Sequence, residues 1–432
     1  NSTAEFYYSK QIKFTNTKGE ERTTSFVCMK DLKAMIEEIM RRRGVTRVLV
    51  VLALDGGQDK LVATLVVFDL NNLNELTDTG FSVGGRKQIF LVACAANVPE
   101  NRAMVKLFFR EMKIKELHLP FILVGDEKMK NLMFGRINEL CLKYLYHICF
   151  SGIQKHTSHH PLAYSMAARY NGRRKTTVGK TWKGDEERRT PENVNQKAGG
   201  FRASGKSRSY LHQYGNAEDE CVELPDEVMQ KEILELSPPD LLHVGKLGPP
   251  NDVMNHMFEV DKIFMERFYY DCGIDERATM YGGHLVGKDV DKVWKEENLV
   301  RLLPFPNGDK IVAFLRAVRE LYYVAVRKIL PPEEVRDQVI VNYRATLRDV
   351  VEARIVTETP KARILAVEVP RYWEITGMSL YYALTEQHES THAMLKQSEM
   401  AHGTRIKVNT GTAKHIETLT RSVVNYSSKS FN

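Results

Sequence analysis

Two short apolar runs placed back to back, residues 47–54 (RVLVVLAL) and 60–70 (KLVATLVVFDL), constrain this chain more than any other feature. Runs this brief and this rich in Val and Leu suit strands. Asp55-Gly56-Gly57 between them is a turn signal, so the pair predicts a β-hairpin. Residues 88–96 (QIFLVACAA) predict a third strand, 100–111 a helix, and 119–124 (LPFILV) a fourth strand ending at Gly125-Asp126. Upstream, Leu32, Ile36, Ile39 and Met40 recur at helical intervals within 29–43, and Gly44 supplies the residue that commonly stops a helix in the αL conformation. The order strand, strand, strand, helix, strand places the chain in the α/β class.

Further along, the pattern changes character twice. Residues 127–145 read as a helix after Asp126, but 167–214 are polar, rich in Gly, Arg, Lys and Ser, and follow no sustained period, which predicts a long loop or arm. Helical patterning dominates 226–352, notably 311–330 (IVAFLRAVRELYYVAVRKIL), with Pro331-Pro332 as a stop. Residues 363–369 (RILAVEV) suggest another strand. Residues 385–400 (TEQHESTHAMLKQSEM) begin a helix with Thr385 as N-cap and His388 at the third position. No internal repeat is present.

At 432 residues the chain is long enough for two or three domains, and no apolar run reaches the roughly 20 residues that span a bilayer, so no membrane partner is expected. Six scattered cysteines (Cys28, Cys94, Cys141, Cys149, Cys221, Cys272) fit free thiols better than a disulfide framework. The formal charge of +7 is mild for this length. Its excess is concentrated, however: residues 169–208 hold twelve Lys/Arg against four Asp/Glu. That stretch is either a solvated loop or a nucleic-acid contact surface.

Asp55 and Asp126 each end a predicted strand beside glycine. Carboxylate oxygens suit hard cations such as Mg²⁺, and glycines let a phosphate backbone approach. Each also has an ordinary reading: Asp-Gly is a favoured turn, and an Asp before a helix is a common N-cap. On the late helix Glu386, Glu389 and His392 recur at three-residue spacing and share a face, which could add a carboxylate to a metal site or be a solvated first turn favoured by the helix dipole.

The segments VLVVLALDGGQDKLVATLVVFDL, QIFLVACAANVPENRAMVKLFFREM and LPFILVGDEKMKNLMFG resemble the opening of transposase-like proteins carried by eukaryotic DNA transposons. The resemblance continues through ERRTPENVNQKAGGFRASG, SPPDLLHVGKLGPPNDVMNH, MYGGHLVG, GMSLYYALTEQHESTHAMLKQ and HIETLTRSVVNYSSKSF, in the family's order and over nearly the whole chain.

It implies a ribonuclease H-like mixed sheet interrupted by a basic arm and a largely helical domain. The expected layout is a core first part at 1–165, an arm at 166–224, a helical insertion at 225–360 and a closing part at 361–432. It further implies a transposase or transposase-derived nuclease that cuts and joins DNA strands with two metal ions, Mg²⁺ or Mn²⁺. Asp55 and Asp126 match the first two catalytic aspartates, and the third carboxylate is Glu386 or Glu389, with Glu386 favoured as nearest the helix start. Lys128 and Asn131 match positions often filled alike. Arg173, Arg174, Lys175, Lys180, Lys183, Arg188 and Arg189 on the arm are the expected contacts to double-stranded DNA, at transposon ends and target, with Trp182, Phe201 and Tyr210 interleaved.

The family's Cys-Xaa-Xaa-Cys keeps Cys149 here but has Gly152 at the second position, so a zinc site of standard form is incomplete. His147, His156, His159 and His160 lie close by in sequence, and Cys149, His243 and His392 are the candidate zinc ligands. A nuclear location and a homodimer or higher oligomer are implied too, with any separate end-recognition domain either absent or outside this stretch. Two other readings fit the same residues: a domesticated protein that binds DNA or a protein partner without cutting, and a structure-specific nuclease on the same fold.

Overall fold

The computed structural model describes residues 3–15, 19–57, 60–72, 89–135, 188–203, 220–275, 285–356 and 359–384, together with His388, Glu417 and 419–424 and the backbone of 153–155, 163–164 and 180–182. The chain divides into two compact units: Asn1–Leu140, Arg188–Pro238 and Thr385–Asn432 form one, and Cys141–Glu187 with Pro239–Leu384 form the other. Residues 361–384 thus fall in the second unit, whereas the sequence grouped them with the closing part of the core.

The first unit is built on a six-stranded mixed sheet. Its strands are β1 (Tyr7–Thr15), β2 (Glu21–Met29), β3 (Val48–Gly57), β4 (Lys60–Asp69), β5 (Phe90–Ala96) and β6 (Phe121–Val124), in the order β1-β2-β5-β4-β3-β6. Every neighbouring pair is antiparallel except β3 with β6, which run parallel. The expected hairpin pairs Val48 with Asp69 through to Gly57 with Lys60, so Asp55 lies inside the ladder opposite Val62 and is not a turn residue. All seven residues of β5 are buried, as are Leu61–Val67 of β4, which means the middle of the sheet is covered on both faces.

The helices of this unit obey their caps. In α1 (Leu32–Arg43) the Asp31 carboxylate accepts from the Ala34 amide at 2.9 Å. At the other end Gly44, in the αL conformation (φ 65°), donates to the Arg41 carbonyl while Val45 donates to that of Met40, the paired closure that satisfies the last carbonyls. Its buried face is Leu32, Met35, Ile36 and Ile39. Helix α2 starts at Arg102 and runs to Glu111, because the Asn101 side chain caps it by accepting from Met104. Glu100, expected inside this helix, therefore stays in the loop after β5. Phe108 of α2 meets Phe26 of β2 edge to face at 5.2 Å. Helix α3 (Glu127–Met133) follows β6, and the remainder of the expected 127–145 helix lies beyond the described residues from 136 onward.

The basic stretch contains a helix that its composition did not announce, α4 (Pro191–Ala203). Thr190 and Asn193 cap it reciprocally: each backbone amide donates to the other's side chain, at 2.9 and 3.1 Å. The chain on either side of α4 is stitched into the first unit, with Ile233 N–H donating to the Arg189 carbonyl and Val222 N–H to that of Met133.

In the second unit the backbone of 153–155, 163–164 and 180–182 forms a small three-stranded antiparallel sheet. The rest is helical: α5 (Gly248–Val260), α6 (Lys262–Asp271), α7 (Gly287–Val293), α8 (Gly308–Ala325), α9 (Glu333–Glu352) and α10 (Val369–Thr376). The expected 311–330 helix ends at Ala325, and Pro332 stands before α9. α8 and α9 pack together through Phe314 stacked on Tyr343.

The strand expected at 363–369 is instead a π-helical turn, Ile364–Glu368, continuing into α10. Its cause is Pro370, which lacks the N–H that an α-helix would aim at the Ala366 carbonyl. The Arg344 guanidinium fills that place with two bonds to the Ala366 oxygen, from Nε at 3.0 Å and from Nη2 at 2.6 Å. Burial of Ile364, Leu365, Ala366 and Val369 supplies the apolar spacing that imitates a strand.

Candidate metal centre at the ends of β3 and β6

The parallel ladder between β3 and β6 ends with Ala53 opposite Val124. Asp55 and Asp126 each lie two residues further on, Asp55 still within β3 and Asp126 just past the carboxyl end of the adjacent β6. Neighbouring strands run about 4.8 Å apart. Gly125 keeps them close: a Cβ there would sit 2.9 Å from the Leu54 carbonyl oxygen. Asp126 also performs the ordinary task foreseen for it, accepting from the Met129 amide at 2.7 Å as the N-cap of α3. Capping and metal binding are compatible, because a helix N-terminus favours the ionised carboxylate.

Two further side chains meet this corner. Glu100 packs against Gly56, occupying the volume a Cβ there would need, and its carboxylate pairs with the Lys128 ammonium. The sequence had singled out Lys128 but not Glu100. The available signal was Asn101, whose capping role excludes Glu100 from the helix and leaves it in the loop beside β3. A carboxylate next to Gly56 and a cation two residues after Asp126 give the corner both signs of charge.

His388 lies on the face of the sheet that carries Asp55. Its Nδ1 is 2.6 Å from Thr64 Oγ1, with both residues buried. Burial pushes the imidazole down to about 4, against the opposing pull of the Asp55 charge, so the ring is neutral near pH 7.

Oxygen donors from carboxylates are the kind that Mg²⁺ or Mn²⁺ takes. Among the described residues no three His, Cys, Asp or Glu side chains gather as a metal set, and both expected third carboxylates, Glu386 and Glu389, lie outside those residues. No protein-family model matches the chain, and no curated protein matches it significantly. Of the zinc candidates, Cys149 and His392 lie outside the described residues, as do His147, His156, His159 and His160. His243, in the second unit, holds Asp240 Oδ2 at 2.5 Å through Nδ1, and among the described residues no zinc set forms around it.

The expected DNA-contacting residues divide in the same way. Arg173, Arg174, Lys175 and Lys183 lie outside the described residues, and Lys180 belongs to the small sheet by its backbone. Arg188 is half-buried and Arg189 fully buried. This corrects the expectation for Arg189: its segment is hydrogen-bonded into the first unit through Ile233, and a guanidinium inside the fold does not reach a phosphate backbone. Among the described residues no helix is long and apolar enough to cross a membrane.

Proposed function

We propose that the protein is a transposase or transposase-derived nuclease whose Asp55 and Asp126 hold divalent metal ions for DNA strand cleavage and strand transfer. The observation that carries this reading is the matched register of the two aspartates at the ends of the only parallel strand pair among the described residues. A ribonuclease H-like core is supported by the sheet order β5-β4-β3-β6, three antiparallel strands followed by one parallel to β3. It is also supported by the family resemblance of the segments around both aspartates.

Mg²⁺ or Mn²⁺ bound there would activate an attacking water or DNA 3′-hydroxyl and stabilise the leaving 3′-oxygen. Asp55 and Asp126 would then act as ligands, with Glu386 or Glu389 as the third, and Gly56 and Gly125 would add no side chain of their own to obstruct a phosphate backbone. Arg173, Arg174, Lys175, Lys180, Lys183 and Arg188 are the proposed contacts to double-stranded DNA, in a nuclear protein acting as a homodimer or larger assembly. A domesticated, non-cutting DNA- or protein-binding protein is the second reading, favoured by the incomplete zinc motif at Gly152.

The deciding experiment incubates the full chain with terminal-repeat DNA and Mn²⁺ and scores nicking and strand transfer. Parent activity that disappears in Asp55→Asn and Asp126→Asn supports the proposal, and equal activity of the three proteins refutes the assignment of these ligands. DNA binding by a parent that neither nicks nor transfers favours the non-cutting alternative. Charge reversal of Arg173, Arg174 and Lys175 should reduce the salt slope of DNA binding by roughly 0.9 for each phosphate that is no longer neutralised.

A further inference from the structure

We infer that His388 is a positioning residue of the proposed metal site, fastening the last segment of the first unit to β4 beside Asp55 through its hydrogen bond to Thr64. The inference rests on the functional reading above and adds a residue to it that neither the carboxylate pattern nor the family resemblance assigned.

Its basis is the arrangement around Thr64. This residue pairs with Ala53 and Asp55 pairs with Val62, so all four side chains stand on one face of the sheet, with Thr64 the diagonal cross-strand neighbour of Asp55. On its other side β4 meets an irregularity: Ala63 pairs with Ala93 but Thr64 with Leu91, leaving Val92 as the extra residue of a β-bulge. Bulges re-aim side chains at functional sites. Here the bulge lies opposite the one β4 hydroxyl that bonds His388 across 324 residues of chain.

The covalent chain sets what this anchor does. Consecutive Cα atoms are about 3.8 Å apart, and two residues span at most about 7 Å. Glu389 is one residue from His388 in sequence and Glu386 two, so whichever of them is the proposed third ligand would be tethered to this anchor by at most two residues of chain. A hydrogen-bonded buried histidine is a narrow constraint, because its ring must be oriented as well as placed. Nδ1 is the bonded atom, and an asparagine amide presents a polar group at a similar distance from its Cα.

The test uses the full chain with Thr64→Val and His388→Phe, which remove the bond, and Thr64→Ser and His388→Asn, which can keep it. Measured together are the Mn²⁺ concentration giving half-maximal cleavage, DNA affinity, thermal unfolding, and hydrogen exchange of the peptide containing His388. Loss of a group that orients ligands typically costs 10- to 100-fold in metal affinity. Thr64→Val and His388→Phe should therefore raise the Mn²⁺ requirement by about 10-fold or more with DNA affinity unchanged, while Thr64→Ser and His388→Asn stay near the parent. Faster exchange around His388 should accompany the first pair only. A parent-like Mn²⁺ requirement in Thr64→Val, or a serine variant as impaired as the valine one, overturns the inference. If the parent neither cleaves nor binds Mn²⁺ but exchange still rises in Thr64→Val, the anchor stands and the two-metal reading falls. Unchanged exchange in Thr64→Val refutes the anchor whatever the activity.

Discussion

Gly125→Ala tests the side-by-side placement of Asp55 and Asp126 most directly. The new Cβ would lie 2.9 Å from the Leu54 carbonyl oxygen and 3.1 and 3.2 Å from Met129 Cβ and Cγ. Carbon atoms pack best at about 3.5 to 4.0 Å, so something must move by several tenths of an ångström. The Leu54 carbonyl belongs to β3 and Met129 to the capped first turn of α3, so neither is free to swing aside. Overpacking of this kind costs about 1 to 3 kcal/mol, against roughly 0.4 to 1 kcal/mol gained from a stiffer unfolded chain. A net destabilisation of about 1 to 2 kcal/mol should lower the melting temperature of a unit this size by roughly 2 to 8 °C.

Because the strain falls between β3 and β6, it should also part the two aspartates and weaken Mn²⁺ binding, where geometry is held within about 0.5 Å. Gly56→Ala is the control: the atoms nearest its Cβ are Oε1, Cδ and Cγ of Glu100, a side chain that can rotate away, at the loss of one partly exposed ion pair worth under about 1 kcal/mol. Calorimetry with Mn²⁺ titration by electron paramagnetic resonance reads both effects. If Gly125→Ala melts and binds Mn²⁺ like the parent, β6 is not seated on Leu54 and the paired-ligand arrangement is wrong.

Other expectations separate structure from chemistry. Asp126→Asn keeps a good N-cap and should leave thermal stability nearly unchanged while abolishing Mn²⁺-dependent cleavage, whereas Asp126→Ala should lose stability too, by about 1 kcal/mol. Arg344→Met deprives the Ala366 carbonyl of both donors and should cost about 1 to 3 kcal/mol in thermal unfolding; adding Pro370→Ala restores an N–H at that place and should recover part of the loss. Burial pushes the Cys28 thiol up to about 12 from an ordinary value near 9, so in the native protein it should resist iodoacetamide at pH 8 and react only after denaturation. The raised value also implies that stability falls as pH climbs from about 9 toward about 12, where the unfolded thiol ionises and the folded one does not. Glu386→Gln should abolish metal-dependent cleavage with DNA binding intact, and Glu389→Gln should leave a measurable remnant; parent-like cutting by both places the third ligand elsewhere.

The strands that carry the aspartates were legible because β-branched runs bounded by glycine have few other uses. That β6 lies beside β3 agrees with the ribonuclease H-like sheet that the family resemblance implied, although parallel pairing is decided by packing across the whole sheet and leaves no local mark in the sequence. Residues 363–369 misled for a physical reason: apolar residues at mixed spacing serve a π-turn as well as a strand, and Pro370 with the distant Arg344 settles which. Helix α4 was legible in principle, in the Thr190-Pro191-Glu192-Asn193 capping sequence, but basic composition hid it. Glu100 and His388 owe their places to contacts with Gly56 and Thr64, and no periodicity encodes those.

The short edge strand β6 has a consequence in time. It is only four residues long, and it is held from outside by Ser237 Oγ donating to the Leu123 carbonyl at 2.9 Å and by the buried Lys130 ammonium just after it donating to the Pro238 carbonyl at 2.5 Å. Those fastenings are encoded more than a hundred residues after β6 itself. On the ribosome, Asp126 is therefore translated long before its strand can be secured, and His388 arrives later still. A growing chain, or a fragment cut short before Ser237, has both aspartates and the β3–β6 ladder but lacks these two outer fastenings of β6. Built this way, the corner that carries Asp126 reaches its final fastening only once residues 237 and 238 have been made.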